Sequence, residues 1–133
     1  MRSVLVVLAG LIAWAVFATL FNLVLRFGLE GYELAEHAYN FTLAMLVGRL
    51  GVGAFASVGA GIACSWVSGV AASHRRRKAL AAVTGALLVL GFIPVHYYMW
   101  QAFPVWYHAF FLLTLLPFVM LGERLARPAP KGA

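Results

Sequence analysis

Residues 51–78 read GVGAFASVGAGIACSWVSGVAASHRRRK. An apolar run ends in a block of cations, and that order decides the fold. About 20 apolar residues in a helix cross the hydrocarbon core of a bilayer. Lys and Arg just beyond such a run mark the side on which it emerges. On one helical face, positions 53, 56, 57, 60, 61, 64, 65, 68, 69 and 72 are Gly, Ala, Ser, Ala, Gly, Cys, Ser, Ser, Gly and Ala. All are small, while Phe55, Val58, Ile62, Trp66, Val67 and Val70 lie elsewhere. In lipid there is little hydrophobic force between helices, so association relies on close backbone approach across small residues. Gly53, Ser57, Gly61, Ser65 and Gly69 form a small-xxx-small ladder that predicts such a packing face. The ladder does not name its partner as a helix of the same chain, a second copy or another membrane protein, though a four-helix bundle already needs such a seam within itself.

Working outward, the chain of 133 residues is 64% hydrophobic and 11% charged. Soluble domains carry about 25% charged residues, so the composition indicates an integral membrane protein. Four spans are predicted, at about 4–25, 50–72, 79–98 and 105–122, in one membrane domain covering 1–133, with a disordered tail at about 127–133. The net charge of +6 does not indicate nucleic acid. The cations sit at span ends, in SHRRRK (73–78) and ERLARPAPKGA (123–133), where they set topology and meet lipid head groups. Placing the N-terminus, the 73–78 loop and the C-terminus in the cytoplasm puts Arg2, Arg75, Arg76, Arg77, Lys78, Arg124, Arg127 and Lys131 inside. Only Arg26 and Arg49 are then left outside. The expected fold is an all-α, membrane-embedded four-helix bundle, N-in and C-in. The first span outlasts a signal-peptide core and is read as uncleaved. The single cysteine, Cys64, excludes a disulfide within the chain.

Between the first two spans lies GLEGYELAEHAYNFTLAMLVGRL (28–50). Glu33, Glu36, His37 and Asn40 share a helical face, which predicts a short amphipathic helix resting at the outer interface. Arg49 marks the outer edge of the second span, its long stem snorkelling to water. Tyr32, Tyr39, Tyr97, Tyr98 and Tyr107, with Trp100 and Trp106, fall at this end as an aromatic belt.

The third and fourth spans meet at PVHYYMWQAFPVWYH (94–108). In a hairpin centred near Ala102, His96 and His108 lie at similar depth, about 9 Å along the axis from the tip. With Tyr97, Tyr107 and Trp106 they make a candidate ligand pocket. Neutral imidazoles there suit a transition metal, with His37, Glu33 or Glu36 as further ligands and Glu33 and His37 one helical turn apart, or a haem, or proton relay. A solvated histidine rim needs none of these, and the sequence favours no cofactor. No catalytic motif is present, and no Asp, Glu, Lys or Arg stands at the centre of a span, which argues against pumps, transporters and membrane enzymes alike. Pro94 and Pro117 predict kinks in the last two spans.

The MRSVLVVLAGLIAW start, the glycine-rich second span running into a basic loop, and FPVWYH opening a last helix that closes on LGERLA together resemble small uncharacterised bacterial inner-membrane proteins with four spans and no assigned activity. The resemblance implies location and bundle shape and carries no functional residue. Taken together, these features point first to a non-enzymatic membrane protein that packs through its second helix, as a homo-oligomer or an accessory subunit. The alternative is a small transporter or ligand-binding protein using the outer ends of the last two spans.

Overall fold

A computed structural model describes residues 2–69 and 72–126. Five helices follow in order: α1 (Arg2–Gly28), α2 (Tyr32–Ala38), α3 (Leu43–Ser68), α4 (His74–Tyr98) and α5 (Val105–Leu125). All but α2 are long and apolar enough to cross a membrane. The molecule is thus an all-α bundle of four membrane-length helices with one short helix between the first two.

Local chemistry sets the boundaries. Thr42 caps α3, its hydroxyl accepting from Met45 N at 3.3 Å, so the helix begins at Leu43 and not near residue 50. Arg49 therefore lies inside α3, beyond its first turn. Ser73 caps α4 in the same way on Arg76 N, which turns the expected 73–78 loop into a helix start. Arg75, Arg76, Arg77 and Lys78 sit on the first two turns of α4. Gly69, with φ of 74°, takes the chain out of α3 through the left-handed region that favours glycine. Pro94 and Pro117 stay inside α4 and α5. The tail at 127–133 lies outside the described residues.

Helix α3 is the centre of the bundle. It packs most extensively on α1 and α5, and α4 closes the ring between those two. Ser3 on α1 bonds to Arg76 on α4, and His74 on α4 approaches Glu123 on α5. The starts of α1 and α4 and the end of α5 therefore share one end of the bundle. Asn22, Arg49 and Tyr107 lie toward the other, beside α2.

Close backbone approach explains the small residues of α3. A Cβ at Gly61 would collide with the Val119 carbonyl of α5, and one at Gly122 would collide with the Val58 carbonyl of α3. A Cβ at Gly53 would press on the Phe111 ring. Ala56, Ser57, Ala60, Cys64 and Ser65 are buried as well. Cys64 Sγ lies 3.3 Å from Thr84 Oγ1 and 3.6 Å from the Val6 carbonyl, joining α3 to α4 and α1.

Candidate functional site: a polar ring beside two cavities

Arg49 is partly buried and turns its guanidinium onto neighbouring side chains. Its guanidinium lies 4.9 Å over the Phe41 ring and donates to Tyr32 Oη at 3.0 Å and Tyr107 Oη at 3.4 Å. The same nitrogen that meets Tyr32 lies 3.5 Å from Glu36 Oε1. Tyr32 Oη in turn donates to Asn22 Oδ1 at 2.9 Å, and Asn22 Nδ2 donates to Glu36 Oε1 at 3.3 Å. Arg49, Tyr32, Asn22 and Glu36 thus form a closed ring from α1, α2 and α3, with Tyr107 of α5 attached. Arg26 adds a second cation to Glu36 at 2.5 Å.

The short helix expected between the first two spans is α2, and the ring ties it to the bundle. Tyr32 is 0% exposed, and Ala35 and Met45 are buried beside it. The helix is docked onto the bundle through an aromatic and an acidic side chain. Glu36 leaves the polar face assigned to it and turns inward, whereas Glu33, His37 and Asn40 are exposed. Leu34, 76% exposed, is the residue of α2 that faces outward as an apolar side chain. Burial opposes ionisation of Glu36. Hydrogen bonds from Asn22 and Arg26, with the charges of Arg26 and Arg49, outweigh that and hold its carboxyl below the ordinary value of 4.5. Burial pushes the Tyr32 phenol up from 10.0, against the pull of Arg49, so it remains a donor at neutral pH.

Two cavities adjoin the ring. One, of about 270 Å³, is lined by Trp14, Thr19, Asn22, Glu36, Arg49, Tyr107 and Phe111, with Ala18, Val52, Gly53 and Phe92. Trp14 is fixed there by donating its indole N–H to Ser57 Oγ at 3.0 Å. The second, of about 80 Å³, is lined by Arg49, Phe92, Tyr107 and Phe111 again, with Val95, His96, Met99 and Phe103. Those four shared side chains line both spaces.

His96 and His108 meet. Their Nδ1 atoms are 2.6 Å apart, and both rings are buried, His108 at 2% exposure. A hydrogen bond between two ring nitrogens requires one donor and one acceptor, so the two histidines hold opposite tautomers at that atom when both are neutral. Trp100 stacks on His108 at 4.8 Å, and Tyr107 stacks on His96 at 6.1 Å. His108 Nε2 is buried with no hydrogen-bond partner among the described residues.

Of the sequence-predicted pocket residues, the structure brings together His96, His108 and Tyr107. Tyr97 is 82% exposed and lines a shallow surface with Tyr98, Trp100 and Gln101. Trp106 is also exposed, and packs on Tyr107 and Phe110. His37 and Glu33 do not join the pair, and the described residues contain no group of three or more His, Cys, Asp or Glu placed to hold a metal. Metal–nitrogen bonds are about 2.0–2.1 Å, so imidazoles bonded to each other at 2.6 Å leave no space for an ion between them.

Sequence reasoning missed Arg49, Asn22, Tyr32 and Glu36 as one constellation. The available signals were weak: a polar residue on the last turns of α1 and a cation followed by apolar sequence. Gly122, which completes the seam with Gly61, was also missed. Compared with known proteins, the chain matches no family model, no curated protein and no solved structure.

Proposed function

We propose that this protein is a non-enzymatic ligand-binding protein or small transporter of the bacterial inner membrane, N-in and C-in. The bound molecule is a small amphiphile, seated in the cavity beside the Asn22–Tyr32–Glu36–Arg49 ring. The ring itself carries the reading. Ionisable residues inside a membrane span mark functional sites by default, and Arg49 stands within membrane-length α3. Here two cations, Arg26 and Arg49, face one carboxylate, Glu36. Arg49 is the cation that lines the cavity, and with Asn22 and Tyr107 beside it the wall suits a head group rich in hydrogen-bond acceptors. Trp14, Phe92 and Phe111 supply an apolar wall for its body. A space of about 270 Å³ is just under the usual small-molecule range of about 300–1,000 Å³, which restricts the ligand to a compact one. His96, bonded to His108, lines the adjoining space.

The homo-oligomer or accessory-subunit reading is second. Four members of its ladder, Gly53, Ser57, Gly61 and Ser65, are buried within the chain, and Gly69 stands beyond them as the C-cap of α3. What favours it is α1, whose apolar window is 11% buried against 44% for α3.

Native mass spectrometry of the protein extracted gently from its own host membrane separates the two. The expected result is a bound non-protein mass on the wild type that is lost from Ala18→Phe. That substitution puts a bulky ring into the cavity that Ala18 lines and leaves every ring residue in the sequence. Extra protein masses on a chain carrying no small molecule would overturn the ligand reading in favour of the accessory subunit.

A further inference from the structure

The opposite end of the bundle bears on a different ligand. We infer that it holds one anionic phospholipid, with the phosphate on Arg2 and Arg76 and the acyl chains against the apolar walls behind them. A groove of about 510 Å³ runs there between the start of α1, the end of α3 and the start of α4. Arg2 and Arg76 line it together with Leu5, Val6, Val67 and Leu80, and no carboxylate stands among its described lining.

Three observations converge on this occupant. Two guanidiniums on one groove repel each other unless an anion lies between them, and the planar guanidinium fork matches phosphate oxygens in pairs. Arg76 is pre-positioned, because one of its nitrogens donates to Ser3 Oγ at 3.2 Å, which leaves further N–H groups for a ligand. The apolar walls belong to membrane-length helices, so the groove continues from a charged mouth toward the depth that acyl chains occupy. A free phosphate would leave those walls unused. Glu123, the acid at this end, is buried beside His74 and does not line the groove. Arg75 and Lys78 are exposed close by on α4 and add a general attraction to anionic head groups. The groove is what converts that field into a site.

The test uses the detergent-purified full chain in native mass spectrometry, with equimolar phosphatidylglycerol and phosphatidylcholine of identical acyl chains. The wild type should retain phosphatidylglycerol in preference, saturating at one lipid per chain. R2Q/R76Q should lower that preference by roughly five- to twenty-five-fold, taking about fivefold for each arginine near the surface. R75Q/R124Q, which removes the same charge at the same end outside the groove, should keep it. Equal loss in both double variants would mean a diffuse field and overturn the site. So would no loss in either, or retention on the unmodified chain that rises without saturating. Because the saturation measurement needs no substitution, misfolding of a variant cannot rescue or sink the inference. Retention of added inorganic phosphate with no lipid would overturn it as well. This site is separate from the cavity beside Arg49, so either assignment survives failure of the other.

Discussion

The His96–His108 pair turns on a single proton. One Nδ1 must donate and the other accept across 2.6 Å, and the bond survives with a net charge of zero or one on the pair but not two. Removing one ring leaves a buried nitrogen facing nothing, which costs about 1–3 kcal/mol, whereas replacing both by apolar groups of similar shape is nearly neutral. His96→Leu and His108→Leu should therefore each destabilise the bundle by about 1–3 kcal/mol. The double variant should lose much less than their sum. Thermal melting of the four proteins in one detergent measures the coupling, and additive losses would show that the pair acts as two independent packing groups. The sequence placed these rings at equal depth through hairpin symmetry. It did not show that they touch, because helix rotation depends on the shapes of Phe92, Phe111 and Trp100 around them.

At the scale of elements, the seam between α3 and α5 depends on backbone meeting backbone. Gly61 and Gly122 each face a carbonyl of the other helix, which cannot rotate aside as a side chain would. Gly61→Ala and Gly122→Ala should each destabilise the fold by about 1–3 kcal/mol, as overpacked cores do. Gly51→Ala and Gly91→Ala, where nothing lies within 4 Å of the added carbon, should be neutral or stabilising by up to about 1 kcal/mol. The loss at Gly61 and Gly122 should persist at protein concentrations low enough to dissociate any oligomer, since the seam lies within one chain. A loss that appears only on association would instead place the contact between copies. The ladder on α3 is legible in sequence because small residues recur at helical spacing. Its partner is not, because Gly122 is a lone glycine in LGERLA, and choosing among the other helices takes three-dimensional packing.

Across the whole molecule, the four membrane-length helices are legible because hydrocarbon sets their length and composition. The site is less so, because its members stand at 22, 32, 36, 49 and 107 and gather only when α2 docks. Treated separately, Arg49 reads as a snorkelling cation and Tyr32 as part of an interfacial belt. Neither reading shows that the two groups are hydrogen-bonded to each other. The ring they share with Glu36 makes docking acid-sensitive. Glu36 has a lower pKa folded than unfolded, so the unfolded chain binds protons more readily. Its contribution to stability is complete above the ordinary carboxyl value of 4.5 and disappears as pH falls through the lower, folded value. Protonation removes the charge that Arg26 and Arg49 share, and with it the clamp joining α1, α2 and α3. Glu36→Gln should melt below the wild type at pH 7, and the gap should close as the pH is lowered from 5 toward 3.5. Taking the difference between the two proteins cancels the contributions of every group that both retain. A gap that stays constant across that range would mean that Glu36 holds α2 by shape and neutral hydrogen bonds, and that the ring does not depend on its charge.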